Sequence, residues 1–398
     1  DNVNDGDYAT NFSDVDAGNY TFDFDVADTD AADSASVEVN DVGEGELDID
    51  PASITEQQGD VVPITVSASE AVTSGELVIG NEDDVGYQAN VTIDDFGDND
   101  EITIYFNSYA AGNTSVNAED VVWVDADDAD EDASISFDVN DNQTTGINML
   151  DAGDYELAVS TQTNNPAETL NSPDNVGTLF LEERMTGETI NTWTVSDAVA
   201  GDIVSADDSV EALNNRVGQN VTQSSEIAEG DRVVHQIEAS GLTGLLEATG
   251  SDSSTQQLKD ALSGDVLDSN AEAGTSDNSL DLRLRETRES AGPNSDLRTV
   301  DISSSTVDVV VDDESDMLYV IVDTDSIQFN NNGGSLDASD DDVGIDARLR
   351  VQDARLLEYN RLSQTNEDVE EPSDLYQSAT GTFTVTAADG EFDQDPYN

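Results

Sequence analysis

The stretch Leu150-Asp-Ala-Gly-Asp-Tyr-Glu-Leu-Ala-Val-Ser-Thr161 decides how the chain is read, because its pattern has already occurred once, as Val15-Asp-Ala-Gly-Asn-Tyr-Thr-Phe-Asp-Phe-Asp-Val26. Both copies run Asp-Ala-Gly-x-Tyr into residues that alternate apolar and polar, the period of a half-buried β-strand. A glycine that tolerates a tight turn, followed two residues later by a tyrosine, is the sequence of a corner whose tyrosine hydroxyl turns back onto the preceding backbone. Tyr20 and Tyr155 are therefore the candidate corner residues.

Each corner leads into further strand signals, Ser34–Val39 after the first and Thr178–Glu183 after the second. Upstream of the second lie alternating runs at 61–68 (VVPITVSA) and 101–107 (EITIYFN), separated by turn-rich segments such as 96–100 (FGDND) and 125–132 (DADDADED). Tyrosine corners and short strands at this spacing predict immunoglobulin-like β-sandwich modules in tandem. On this reading residues 1–41 are the C-terminal part of one sandwich, and 42–187 form a complete one. Beyond about 190 the texture changes. Helical patches at 208–217 and 254–264 precede strands at 280–286, 307–311, 317–323, 347–352 and 382–388, with Asp312–Asp316 (DDESD) as a hairpin turn between the middle two. Residues 188–390 are predicted as an α+β module, an antiparallel sheet carrying short helices. The segment 330–342 (NNNGGSLDASDDD) reads as a loop, and 391–398 as a linker to a following domain.

Charge sets the solvent. The chain carries 90 acidic against 12 basic side chains, a formal charge of −78, and its first cation is Arg184. Such self-repulsion works against compactness in dilute buffer, but near 1 M salt the Debye length is about 3 Å and the repulsion is screened. The composition is halophilic, and Lys259 is the only lysine beside eleven arginines. An acidic disordered tail is the competing reading, and the strand-periodic stretches argue against it. Cysteine is absent, which removes disulfides and thiolate metal sites. No apolar run reaches the roughly 20 residues that span a bilayer, so no direct membrane insertion is expected of this segment. An anionic surface also disfavours nucleic acid and anionic lipid as partners.

Here the residues reach a family. GYQANVTI at 86–93, LDAGDYELAV at 150–159, TWTV at 192–195, AEGDRVVHQIEASGL at 228–242 and TGTFTVTAADGEFDQDPYN at 380–398 occur in the same order as in, and resemble, the extracellular modules of haloarchaeal surface glycoproteins, including those that build the S-layer. The resemblance implies an exported, N-glycosylated, non-enzymatic structural protein that associates with copies of itself, laterally in a lattice or as a homo-oligomer, at the cell surface of a halophilic archaeon. An adhesin or ligand-binding surface protein is the alternative, and a secreted hydrolase comes third. Members of that family also carry a signal peptide, a Thr-rich stalk and a hydrophobic anchor with a Pro-Gly-Phe tripeptide; the 398 residues contain none of these, so the resemblance assigns no anchor to this segment.

Three sets of residues carry candidate chemistry. Six N-x-[ST] sequons, at Asn11, Asn19, Asn90, Asn113, Asn142 and Asn220, are candidate attachment points for N-linked glycans, with Asn113, Asn142 and Asn220 ranked first. Calcium takes six to eight oxygens. Asp94, Asp95, Asp98, Asp100 and Glu101, or Asp125, Asp127, Asp128 and Asp130, can offer them at alternating spacing, as can Asp337, Asp340, Asp341 and Asp342. The competing reading of each is a solvated acidic turn, since clusters are expected among so many carboxylates. Finally, Arg283 and Arg285 alternate with leucines, and Arg348 and Arg350 repeat the arrangement. If the two strands pair, the four share one outer face, either balanced by acids of the same module or docking the cation-free sandwich of a neighbouring copy. No catalytic cofactor is expected. His235, the sole histidine, is placed by alternation on a strand with Val233 and Ile237, and no nucleophile elbow, P-loop or dinucleotide fingerprint occurs.

Overall fold

The computed structural model describes residues 18–25, 29–39, 45–69, 72–97, 99–124, 133–147, 149–264, 266–267, 278–330, 333–353, 355–357 and 376–388. A hairpin comes first: β1 (Gly18–Asp25) pairs antiparallel with β2 (Ala32–Val39).

Twelve further elements make the first unit: β3 (Leu47–Ile49), β4 (Ser53–Gln57), β5 (Val61–Ala68), β6 (Gly75–Ile79), α1 (Glu82–Val85), β7 (Ala89–Asp95), β8 (Glu101–Asn107), β9 (Val122–Val124), β10 (Ser134–Ser136), β11 (Gly153–Ser160), α2 (Pro166–Asn171) and β12 (Asn175–Glu182). They form two sheets, β10-β7-β6-β11-β12-β4 and β3-β5-β8-β9, with β4 running parallel to β12 along one edge. The alternation read in the sequence is the reason. In β5, Val62, Ile64 and Val66 point inward against Ile102, Ile104 and Phe106 of β8, while Leu77 and Ile79 of β6 and Leu157 and Val159 of β11 face them from the other sheet; all ten are buried. This is a β-sandwich of the immunoglobulin-like kind, closed by a tyrosine corner.

The opening hairpin repeats the register of the sandwich's last one. Gly18 faces Val39 and Tyr20 faces Val37, as Gly153 faces Leu181 and Tyr155 faces Leu179. Tyr20, Phe22 and Phe24 thus occupy the places of Tyr155, Leu157 and Val159. The last three are buried beneath the facing sheet, whereas Phe24 is 58% exposed.

The second unit is built on β13 (Thr186–Ser196), α3 (Asp197–Val204), α4 (Ser209–Asn214), β14 (Thr222–Gln223), β15 (Glu226–Ala228), β16 (Asp231–Ala239), α5 (Thr243–Glu247), α6 (Ser254–Ser263), β17 (Leu280–Glu286), α7 (Arg288–Ala291), β18 (Val307–Asp312), β19 (Met317–Asp323), β20 (Gln328–Phe329), β21 (Gly334–Ser335), β22 (Val343–Val351) and β23 (Gln377–Thr386). Its main path runs β17-β22-β23-β13-β16-β19-β18, with β14 on β13 and β15 on β23 making nine strands. The ladders are antiparallel except where β23 meets β13 and β15. The turn at 312–316 joins β18 to β19 as its acidic composition suggested.

Helix α6 begins where Ser253 accepts a hydrogen bond from the Gln256 amide at 3.3 Å, and it buries Leu258 and Ala261 against the main core. On the other sheet face α3 and α4 enclose a smaller core of Val195, Ala200, Ile203, Leu213, Val234 and Ile321. One stretch departs from its sequence reading. Within 330–342, expected to be loop throughout, β21 pairs with β20, and Leu336 and Ala338 are buried. Two apolar side chains anchor a segment whose composition is otherwise that of solvent-exposed turn.

Candidate functional site: the junction between units and the charged faces

The most heavily built polar site is the joint between the two units, and no local motif announces it. Gly59 (φ +100°) turns β4 into β5 so closely against the second unit that an added Cβ would lie 2.6 Å from the Gly241 carbonyl. That approach delivers Asp60, 2% exposed, to the loop before α5. Its carboxylate accepts from the amides of Gly241 (2.7 Å) and Thr243 (3.0 Å) and from the Thr243 hydroxyl (2.8 Å), while the Val61 amide donates to that hydroxyl at 3.0 Å. The Asn107 side chain donates to the Gly244 carbonyl at 2.9 Å. Nearby, Arg184 donates to the Ser240 carbonyl, the Thr186 hydroxyl and the Gln377 side chain. Burial lowers its pKa to about 10, opposed by Asp60 and Asp353.

A second clasp lies beside the first. Asp353 accepts from the hydroxyls of Tyr109 (3.0 Å) and Ser279 (2.5 Å) and from the Arg355 amide (2.8 Å). Arg355 donates to the Tyr109 carbonyl at 2.6 Å, and its guanidinium lies 5.2 Å from the centre of that residue's ring. Leu242, Leu245, Leu246, Tyr109 and Leu356 are buried here, and one apolar core runs from Leu47 to Val385 across the joint. Buried polar groups fully paired in this way rigidify the packing around them.

Carboxylates crowd the rim of the joint. Glu56 is pushed up to about 8, by burial first and then by Asp313, Asp60 and Asp316. Asp313 rises to about 7 through burial and then Asp60 and Asp316. Asp60 and Asp316 are raised as well, chiefly by burial. Glu56 belongs to the sandwich and Asp313 and Asp316 to the β18–β19 turn, so like charges meet across the joint.

The residues singled out from sequence fall as follows. Tyr155 donates to the Asp151 carbonyl at 2.8 Å, the geometry of a tyrosine corner; Tyr20 is half-buried at the matching register of β1. Asn19 and Asn220 are exposed. Asn90, Asn113 and Asn142 are half-buried, and their side-chain oxygens accept from the Gln88 side chain and from the amides of Ser115 and Asp138. Asn11 lies outside the described residues, as do Asp98, Asp125, Asp127, Asp128 and Asp130. Asp94 accepts from the Ser136 hydroxyl, and Asp95 from the Gly97 amide. Asp100 takes a left-handed φ of +54° in the turn before β8, and Asp337 accepts from both the amide and the hydroxyl of Ser339. Among the described residues, no group of three or more carboxylates or histidines is arranged to hold a metal ion. His235 is fully buried on β16, its ring 5.1 Å from that of Phe383, and both ring nitrogens lack a hydrogen-bond partner. Burial alone pushes its pKa down to about 4. Strands β17 and β22 pair, so Arg283, Arg285, Arg348 and Arg350 do share a face, with Arg283 directly opposite Arg348.

The joint itself has no local signature in the sequence. Asp60, Thr243, Asp353 and Arg355 each act across 181 to 246 residues, and only the glycines of "QQGD" and "SGLTG" hinted at close backbone approach.

A sandwich locked to a second sheet by buried polar clasps defines a modular β scaffold. Residues 39–162 match the family model described as Domain of unknown function (DUF7827). The chain is 31% identical over 393 residues to the "Cell surface glycoprotein" of Haloferax gibbonsii, covering 97% of this chain and 39% of that protein. It is 32% identical over 365 residues to "Cell surface glycoprotein 1" of Haloarcula hispanica, covering 91% and 38%. The chain belongs to this family of haloarchaeal cell surface glycoproteins, and it spans about two fifths of the length of the curated relatives it matches. Among solved structures, the N-terminal eight Ig domains of Down Syndrome Cell Adhesion Molecule give a TM-score of 0.18 at 9% identity, covering 94% of this chain and 30% of that one.

Proposed function

We propose that this chain is a structural segment of a haloarchaeal cell-surface glycoprotein, one that associates with copies of itself into the envelope coat. The observation that carries the reading is similarity over 97% of the chain to a protein named for the cell surface. The architecture supports it: the buried polar chemistry is concentrated at a joint, where it fixes two units relative to each other, as a coat element requires. The −78 charge suits a surface bathed in strong brine. The hairpin of β1 and β2 belongs to another module of the same sandwich type, since it repeats the closing hairpin's register. Among the described residues Asn19 and Asn220 present the most open sequons for glycans, and calcium is expected at the acidic run of Asp125, Asp127, Asp128 and Asp130, which lies outside the described residues. The segment performs no catalysis of its own.

An adhesin is the second reading. It is favoured by one feature: Tyr105 and Trp123 stack at 5.8 Å and 13° on the sandwich's outward sheet face, a platform of the type that receives a planar ligand.

Isolating the protein from envelopes of its native host tests the proposal. We expect it in the envelope fraction, with an intact mass above that of the bare polypeptide and glycopeptides covering Asn220 or Asn19. Recovery from the cytoplasm with every sequon bare overturns the reading.

A further inference from the structure

Among the described residues the ion pairs are Arg232 with Asp197 and Asp308, Arg298 with Glu286, and Arg348 with Asp281. Arg283, Arg285, Arg350 and Lys259 make none there, in a chain that holds 90 acidic side chains to 12 basic ones. Arg283, Arg285 and Arg350 share the outer face of β17 and β22, and Lys259 lines a groove with Arg283. On the outer face of β17 and β22, Arg283 faces Arg348, Arg285 faces Asp346 and Arg350 faces Asp281, while β23 adds only Ser378, Thr380 and Thr382. Like charges placed directly opposite cost stability in a sheet. Burial holds the Arg283 pKa down, and Arg348 and Arg285 hold it down further.

The acids on this face are already committed. Asp281 takes Arg348, and Asp346 takes the Thr382 hydroxyl at 3.0 Å. Beside them runs a groove of about 350 Å³ lined by Lys259, Arg283, Asp281 and Asp301. Asp301 is occupied by the hydroxyls of Ser303 (2.6 Å) and Ser304 (2.8 Å). Among the described residues the groove therefore has two cations without an ion-pair partner, and two carboxylates that are both engaged. Arg350 rests its guanidinium 4.0 Å from the Tyr376 ring centre, which fixes its plane without neutralising it.

We propose that this face and groove dock the sandwich of a second copy of this chain, whose Asp and Glu side chains pair with Arg283, Arg285, Arg350 and Lys259. Charge complementarity selects that occupant: the sandwich, from Leu47 to Glu182, contains no lysine, arginine or histidine. Guanidinium forks hold carboxylates bidentately, and contacts at that range are the least screened by salt. Because the two surfaces differ, the contact is head-to-tail and propagates, which suits a coat. This inference rests on the self-association proposed above and names the face that carries it.

Lys259, the sole lysine, makes the test direct. Isotopically light and heavy copies of the full chain are mixed in high salt, treated with a carbodiimide that joins amine to carboxylate, and mapped by mass spectrometry. We expect Lys259 of one copy linked to Asp or Glu between residues 47 and 182 of the other. The triple substitution Arg283→Gln, Arg285→Gln and Arg350→Gln should keep the parent's circular dichroism and lower these links at least tenfold. Added to the parent, it should shorten assemblies, because it still offers its own sandwich. Lys259 links confined to one copy, for instance to Glu367, Glu370 or Glu371 of the chain's own acidic stretch, overturn the inference, as does a triple variant that assembles like the parent. If the parent itself stays monomeric at every concentration in high salt, the self-association reading falls with it.

Discussion

Asp60→Asn tests whether the joint makes the two units one cooperative structure. Both carboxylate oxygens are in use, one by the Gly241 amide and the other by the Thr243 amide and hydroxyl. Asparagine has one carbonyl oxygen, so its amide group must face a donor wherever it points. If the carbonyl stays on Thr243, the Gly241 amide is stranded. A hydrogen bond to a charged group contributes about 1.5–3 kcal/mol and a stranded buried donor costs about 1–3 kcal/mol. Against this, asparagine removes a charge whose pKa burial has raised. A net loss of about 2–3 kcal/mol is expected, which for a cooperative structure of this size lowers Tm by roughly 2–4 °C. Trp123 reports the sandwich and Trp193 the second sheet, where its indole N–H donates to Gln236 at 3.2 Å. Replacing either tryptophan with phenylalanine isolates the other as a probe in fluorescence melts at constant high salt. In the parent both probes should share one transition, and Asp60→Asn should move them down together. Separate transitions in the parent, or an unmoved Tm in the variant, would refute the coupling.

Glu56 and Asp313 should lower stability as pH rises between about 4 and 8 at fixed salt, opposed below about 6.5 by His235. Glu56 and Asp313 stay protonated in the folded state up to about 8 and 7, while in the unfolded chain they ionise from about 4.5 and 3.8, so ionisation favours unfolding across that window. Glu56→Gln with Asp313→Asn should flatten the slope and raise stability at pH 8 by about 1 kcal/mol, a figure discounted for solvent access at the rim; a slope parallel to the parent's argues that these acids do not meet. His235→Leu removes two unpartnered ring nitrogens, so its stability at pH 7 should match or exceed the parent's by up to about 1 kcal/mol. The histidine's pKa is lowered on folding, so its contribution is complete above about 6.5 and lost as pH falls towards 4; the variant should lose that acid-side decline, and denaturant titrations at pH 7 and 4.5 check both points. Tyr155→Phe deletes the bond to the Asp151 carbonyl and should cost about 1 kcal/mol in the same titration, an unchanged midpoint showing that the corner is not held by the hydroxyl.

Features with a local period were legible. Alternation placed β5, β8, β17 and β22, the repeated Asp-Ala-Gly-x-Tyr located two hairpins of identical register, and Leu258 and Leu262 marked α6. The arginine face followed from the same alternation, because side chains two apart on a strand share a side. Helix α3 was missed, for its sequence, DAVAGDIV, mixes β-branched residues and glycine, and its N-cap Ser196 makes no side-chain cap bond. The joint was illegible for a different reason. Asp60 and Asp353 look like any other acid in a chain with 90 of them, and only the meeting of two distant backbone turns makes them special.

Electron cryotomography of native envelopes carrying a tag on this protein tests the central claim most directly. A coat element predicts a periodic layer, one tag per repeat, with averaged density holding the sandwich and the nine-stranded sheet in the fixed relation set by Asp60 and Asp353. Tags on scattered or polar spikes, outside any periodic layer, would contradict it.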